Sequence, residues 1–487
     1  MGIPYFFYNI VNKYKNIISE KKPDNVDIYA VDFNGLIHKI VEKNIDKSDD
    51  IMLEELHKLI IQHYKQFNPK HMYICTDGVA PLAKIIQQRK RRYLTIFRNK
   101  LDNITLKWDK NAISPNTNFM KKLDEYFKNN LDDNINYSGS DENGEGEHKI
   151  FDKLANHNND DIIIINGLDA DLIILSLLSE KNNIYLMRED NVYLNINRLK
   201  KSIITELKIK WKLFNNVDNK DLIESYCVMC SLLGNDFLPC LLTLNIKKGG
   251  IDKLISITGL SIENNGLLVY NNTINSNCLI EIFEKISDTE KEDLYNEIDK
   301  YDKLRPYKND LKSDNYGLKN KDNLISLIFN DINKWRNLYY KHIYNINIHK
   351  DNQIVNLACF NYIKGIYWTY NYYKKFDLDY EWYFPYNYAP ISKDIFNYIK
   401  ANNNINYIEN KGTFLNADIQ LLIILPIESI NLINEKHRKY MTNISEGLIH
   451  LYPSSYKIQT FLKTELHECC PILPTLNINK IKKIIDI

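Results

Sequence analysis

The sequence predicts an α/β fold, a parallel or mixed central sheet flanked by helices, with a mainly helical second region packed against it. Three observations carry that prediction. Short apolar runs alternate with helical patterns through the first half of the chain. Those runs are continuously apolar rather than alternating, as in strands buried on both faces. From about residue 205 the periodicity becomes mainly helical. In order, "VDIYAVD" (26–32) reads as a strand and "GLIHKIVEK" as the helix after it. "HMYICTD" (71–77) is a second strand, followed by the helical "PLAKIIQQRKRRYLTIF". "DIIIIN" (161–166) is a third, followed by "DADLIILSLLSE", and "NIYLMRE" (183–189) is a fourth.

Four stretches follow from the pattern: an α/β core over 1–258, a charged helical and loop connector over 259–325, an aromatic-rich region over 326–395, and a tail over 396–487 that mixes helical and strand-like runs. At 487 residues the chain is long enough for two or three packed domains. It is 44% hydrophobic and 26% charged, an ordinary globular profile. The net charge of +1 excludes a general polycation, so any nucleic-acid contact must come from a local basic patch. The eight cysteines form no disulfide framework and no signal peptide is visible, which points to a reducing compartment. Cys227 and Cys230 form a CxxC inside an apolar helical run with no second ligand pair, so core packing is expected of them. No apolar run reaches the roughly 18 residues a membrane helix needs, and Phe6 stands where a myristoylation signal wants Ser or Thr.

Acids follow the strands. Asp32 ends one, Asp77 ends the next, and Asp169 and Asp171 follow the third in "GLDAD". The carboxyl ends of parallel strands share one edge of the sheet, so these four should cluster. Each taken singly reads as a helix N-cap. Together they repel strongly, and a hard divalent cation is the usual remedy. Glu145 and Glu147, interleaved with Gly144 and Gly146 on what reads as a flexible loop, could complete such a site, and Asp236 in "LLGNDFLP" is a further candidate. A carboxylate set without His or Cys favours Mg²⁺ or Mn²⁺ and suits two-metal phosphodiester hydrolysis. Lys84, Gln88, Arg91 and Arg92 fall at i, i+4, i+7 and i+8, one helix face able to hold a phosphate by charge-assisted bonds. Arg89 and Lys90 point elsewhere and are expected to be solvated or to touch nucleic-acid backbone.

The chain resembles the XRN family of 5'-to-3' exoribonucleases. The matching pieces are "MGIPYFF", "VDFNGLIH", "DGVAPLAKIIQQRKRR", "GEGEHKI", "GLDADLIILSLL" and "LLGNDFLP", with "YIKGIYWTYNYY" and "WYFPYNYAP" resembling the family's second conserved region. The resemblance runs from residue 1 to about 391 and loosens beyond. It implies a nuclease core like that of PIN and flap nucleases. It also implies Mg²⁺, with Mn²⁺ able to substitute and two ions expected, held by Asp32, Asp77, Glu145, Glu147, Asp169, Asp171 and Asp236. The 5'-phosphate pocket carries over to Lys84, Gln88, Arg91 and Arg92, and nucleotide stacking to His38 with Trp368, Trp382 being the other choice. The implied activity is processive removal of mononucleotides from single-stranded RNA bearing a 5'-monophosphate. The implied protein is a compact, monomeric, cytoplasmic-type enzyme; composition and compactness suggest the kind large DNA viruses carry, working in a host cytoplasm or virion. Two departures bear on substrate contacts: Tyr8 where the family has Arg, and "SEKNNIYL" where it has a His. The extra C-terminal domains of the large cytoplasmic relatives and a CCHC zinc knuckle are not expected. Two alternatives stand beside this reading, a flap-type DNA nuclease and an inactive RNA-binding scaffold on the same fold.

Overall fold

In the computed structural model, residues 2–105, 107–188, 192–213, 217–308, 311–329, 331, 333–403, 407 and 412–485 are described. The continuous apolar runs become the middle of a seven-stranded mixed sheet. Its strands are β1 (Ile18–Ser19), β2 (Ile28–Asp32), β3 (His71–Cys75), β4 (Ile135–Ser138), β5 (Ile162–Asn166), β6 (Asn183–Met187) and β7 (Tyr193–Asn195), in the spatial order β1-β7-β6-β5-β2-β3-β4. β4, β3, β2, β5 and β6 run parallel, while β7 and β1 pair antiparallel at one edge. The fourth sequence-predicted strand stops at Met187, and its expected end at Glu189 lies outside the described residues. β4, β7 and β1 carried no sequence signal, being four residues or fewer.

Helices of the first half are α1 (Phe6–Lys13), α2 (Phe33–Lys43), α3 (Asp49–Phe67), α4 (Leu82–Leu101), α5 (Asn118–Asn130), α6 (Gly146–Ala155), α7 (Asp171–Leu178), α8 (Ile196–Lys210) and α9 (Asn219–Ser231). The rest is mainly helical: α10 (Gly250–Asn265), α11 (Ser276–Lys303), the short α12 (Tyr316–Lys319), α13 (Leu324–Phe329) and α14 (Trp335–Tyr339), then α15 (Asn352–Lys374), α16 (Ser392–Ala401), α17 (Ala417–Ile424), α18 (Glu435–Thr442) and α19 (Ile478–Ile485). Residue 258 falls inside α10, residue 325 inside α13 and residue 395 inside α16, so all three boundaries drawn from sequence lie within helices.

Side chains alternate across the sheet because successive residues of a strand face opposite sides. Tyr29 and Val31 of β2 pack with Met72, Ile74 and Ile164 beneath α2, α3 and α5. Ile28 and Ala30 face the other way, into a core that continues through α7 and α9 to α10, α11, α15 and α16. Cys227 and Cys230 are buried in α9 as packing residues, and all eight cysteines are free. A third cluster joins Val79, Ala80, Leu82 and Ile85 to α17, α18 and α19. Among the described residues no helix is long and apolar enough to cross a membrane.

Candidate active site

The carboxyl ends of β2, β3, β4 and β5 share one edge of the sheet, and the sequence-predicted acids gather there. Asp32 is the last residue of β2, Asp77 lies two beyond β3, and Asp169 and Asp171 follow β5. Glu145 is the N-cap of α6 and Glu147 stands in its first turn, so the acidic stretch is a fixed helix start rather than a flexible loop. The interleaved Gly146 is there for space. A Cβ on it would lie 2.7 Å from the Cys75 carbonyl oxygen, 3.2 Å from Asp32 Oδ1 and 3.4 Å from Asp77 Oδ1. Its N–H donates to Asp77 Oδ1 at 2.7 Å, and Asn34 Nδ2 donates to Asp77 Oδ2 at 2.7 Å. Gly2 has a similar reason: at φ +50° it lies so near Asp171 that a Cβ would meet Asp171 Oδ1 at 2.3 Å.

This edge carries more negative charge than it neutralises. Burial and the neighbouring Asp77 and Asp169 push the Asp32 carboxyl well above its ordinary range. Burial and Asp171 do the same to Glu147, and burial raises Glu145 to about 7 against the pull of Lys84. Burial raises Asp236, but the positive charges beside it, Lys84 first among them, together hold it low. The Lys84 ammonium sits inside the cluster, 2.6 Å from Glu145, 2.9 Å from Asp236 and 3.8 Å from Asp171. Those acids outweigh its own burial and keep it charged. Among the described residues no group of three His, Cys, Asp or Glu is set to hold a metal ion. The donor set still fits one. Every donor is a carboxylate oxygen, and both oxygens of Glu147 are buried without a hydrogen-bond partner, a costly arrangement that a hard cation would relieve.

The basic face of α4 begins at Lys84 and runs away from the acids. Gln88 is half-buried with its Oε1 unpartnered, Arg91 is exposed, and Arg92 donates to Asn111 Oδ1 at 3.1 Å. Seven residues separate Lys84 from Arg91, about 10 Å along a helix. His38 of α2 lies beside this face, and burial together with the charges of Arg91 and Arg92 lowers it to about 4. Lys84 thus belongs both to the acidic cluster and to the α4 face that carries Gln88 and Arg91, and His38 lies near enough to feel Arg91 and Arg92. Arg89 is a correction. It is buried rather than solvated, donating to the Leu451 carbonyl at 2.6 Å and the Pro474 carbonyl at 3.0 Å.

Comparison with protein families matches the model described as the XRN 5'-3' exonuclease N-terminus to residues 1–190, and that described as the Xrn1 helical domain to residues 216–334 and 331–477. The chain belongs to the XRN family. Among its relatives, human 5'-3' exoribonuclease 1 is 25% identical over 98% of this chain and 33% of that protein. The Schizosaccharomyces pombe 5'-3' exoribonuclease 1 is 30% identical over 53% of this chain and 24% of that protein. A Drosophila 5'-3' exoribonuclease 2 homolog is 23% identical over 99% of this chain and 70% of that protein. The chain therefore spans about a third of the human relative's length.

The XRN helical region reaches the acids through α15, by residues the sequence did not single out. Tyr372 donates its hydroxyl to Glu145 Oε1, and Tyr373 donates to Asp171 Oδ1 at 2.5 Å. Trp368, expected to stack on a nucleotide, is 3% exposed. Its ring lies 5.1 Å from Tyr372 at 11°, its edge meets Phe237, and its Nε1 donates to the Asp379 carbonyl at 2.8 Å. Trp382 is 5% exposed and tilted against Trp368. Neither ring offers a face to solvent, because Phe237, Tyr372 and the two tryptophans pack on one another. Trp368 instead backs the tyrosine that holds Glu145. No periodicity separates Tyr372 and Tyr373 from the tyrosines around them, so sequence held no signal for their role.

Proposed function

We propose that this chain is a 5'-to-3' exoribonuclease that hydrolyses single-stranded RNA from a 5'-monophosphate, processively and to mononucleotides. One observation carries the reading: a charge-surplus carboxylate edge continues directly into the basic face of α4. Divalent ions, two Mg²⁺ or Mn²⁺ by this reading, would supply water activation and stabilisation of the leaving oxygen. Asp32, Asp77, Glu145, Glu147, Asp169, Asp171 and Asp236 would hold them.

The chain's own groups do the rest. Gln88 and Arg91 hold the terminal phosphate, with Arg92 behind them, and Lys84 links that phosphate to the acids. At neutral pH the His38 ring is uncharged, because burial and the nearby arginines disfavour its protonation, so it presents a neutral face to the first nucleotide. A strip one helix face wide admits unstacked nucleotides, and a triphosphate or cap exceeds a pocket sized for one phosphate. The names of the relatives, 5'-3' exoribonucleases, support the direction of attack. A reducing compartment accords with the eight free cysteines.

The test is a time course on one RNA carrying 5'-monophosphate, hydroxyl, triphosphate or cap, each with Mg²⁺ and with EDTA, beside Asp169→Ala. Mononucleotide release confined to the monophosphate with Mg²⁺ is expected. Release regardless of the 5' end sends the enzyme to branched DNA substrates, and no release by the wild type leaves a binding scaffold.

A further inference from the structure

α4 carries the basic strip on one face, and its opposite face is committed to the tail. Residues two apart on a helix point about 200° apart, so Arg89 faces away from Arg91. Arg89 spends both terminal nitrogens on carbonyls of the tail, Leu451 at 2.6 Å and Pro474 at 3.0 Å. One turn on, Tyr93 is buried against Tyr456, whose hydroxyl donates to the Tyr93 carbonyl at 2.6 Å. Just before the helix, Gln420 Oε1 accepts from Ala80 N at 3.0 Å. Leu82 and Ile85 are buried with α17 and Leu451 rather than against the sheet. A guanidinium fork on two carbonyls fixes rotation as well as distance, which apolar packing alone does weakly.

We propose that the tail, residues 412–485, braces α4, with Arg89 as the positioning residue, so that recognition of a 5'-phosphate by Gln88 and Arg91 depends on contacts made on the helix's far side. This rests on the reading of the strip as a phosphate site. It gives the tail a role in the chemistry, since a helix turned or shifted by about 1 Å loses a phosphate contact while keeping its backbone bonds. Arg89 itself touches neither acids nor phosphate.

The test measures equilibrium binding of one RNA with a 5'-monophosphate or a 5'-hydroxyl, in EDTA so that nothing turns over, for the full-length wild type, Arg89→Ala, Arg89→Lys and Tyr456→Phe. In Arg89→Ala the preference for the phosphorylated end should fall at least about tenfold, the scale of a misplaced binding group. Affinity for the hydroxyl end should stay within about twofold, because backbone contacts elsewhere are untouched. Arg89→Lys, which keeps the charge and reaches one carbonyl, should recover part of the preference. Should Arg89→Ala not fold, Tyr456→Phe decides alone by a smaller loss of preference. Equal weakening on both RNAs, or an undiminished preference, overturns the brace. A wild type without preference overturns the phosphate site and the brace together, whereas a preference that survives in Arg89→Ala overturns the brace alone.

Discussion

Lys84→Met separates the two cations the acidic edge can use. Methionine keeps the length of the side chain and removes its charge. Lys84 Nζ lies 2.6 Å from Glu145 and 2.9 Å from Asp236, and all three side chains are almost fully buried. Removing one member of such a buried arrangement costs about 3–5 kcal/mol, because the remaining carboxylates lose their counter-charge in a dry site. In EDTA the variant should therefore unfold at lower urea by that amount. A divalent ion at about one hundred times its dissociation constant stabilises the folded state by about 2.7 kcal/mol. The wild type should show less of that gain, since its ammonium competes for the same oxygens. Urea denaturation followed by tryptophan fluorescence, with EDTA and with saturating Mg²⁺, gives both numbers. The expected result is a larger Mg²⁺ shift in the variant than in the wild type. An equal loss with and without Mg²⁺ would show that Lys84 does not compete with the ion for these oxygens, and no loss in EDTA would show that Lys84 is not their counter-charge.

Tyr373→Phe removes a buried hydroxyl that donates to Asp171 at 2.5 Å, a charged hydrogen bond worth about 1.5–3 kcal/mol, so turnover should fall about tenfold or more. Calorimetric Mg²⁺ titration should show weaker binding as well; unchanged affinity and turnover would leave the tyrosine as packing only. Glu290 accepts from Ser392 N at 2.7 Å and Lys393 N at 3.1 Å at the start of α16, and burial raises it from 4.5 to about 7. The folded state thus holds the proton more tightly than the unfolded one. This contribution is complete below about pH 4.5 and is lost as pH rises through about 7, by about 3 kcal/mol at 1.36 kcal/mol per unit. Glu290→Gln should remove that slope, so the variant gains on the wild type from pH 5 to pH 8 in urea melts; a pH-independent difference would refute the shift.

The sheet was legible where strands were long and buried on both faces. β2, β3, β5 and β6 are each five residues, mostly Ile, Val, Tyr and Leu, and no helix period fits them. β1 and β7 were not, because two or three residues carry no period. The acids were legible for a topological reason: once the strands are parallel, Asp32, Asp77 and Asp169 must meet. Arg89 was misread because "RKRR" looks like a solvated face. What buries it is a pair of backbone carbonyls more than 350 residues away, which no local pattern announces. The burial of Trp368 was not legible for a related reason. Its exposure depends on whether Tyr372 and Phe237 pack on it, and only the assembled fold decides that.

Burying carboxylates together is never favourable for stability alone. Each buried ion costs several kcal/mol, and apolar residues of similar volume would serve a core better. Here Asp32, Glu145, Glu147 and Asp171 are all pushed upward, and Lys84 is the buried ammonium among them. Tyr372 and Tyr373 of α15 offset part of that cost by donating to Glu145 and Asp171, which favours their ionised forms. Donors that keep carboxylates charged, where the surroundings resist that charge, make sense when a cation is to be held at fixed oxygens. Since those donors come from the helical region and the acids from the sheet, the site is complete only when the two pack together. That is why loosening α15 should weaken divalent-ion binding before it unfolds the sheet.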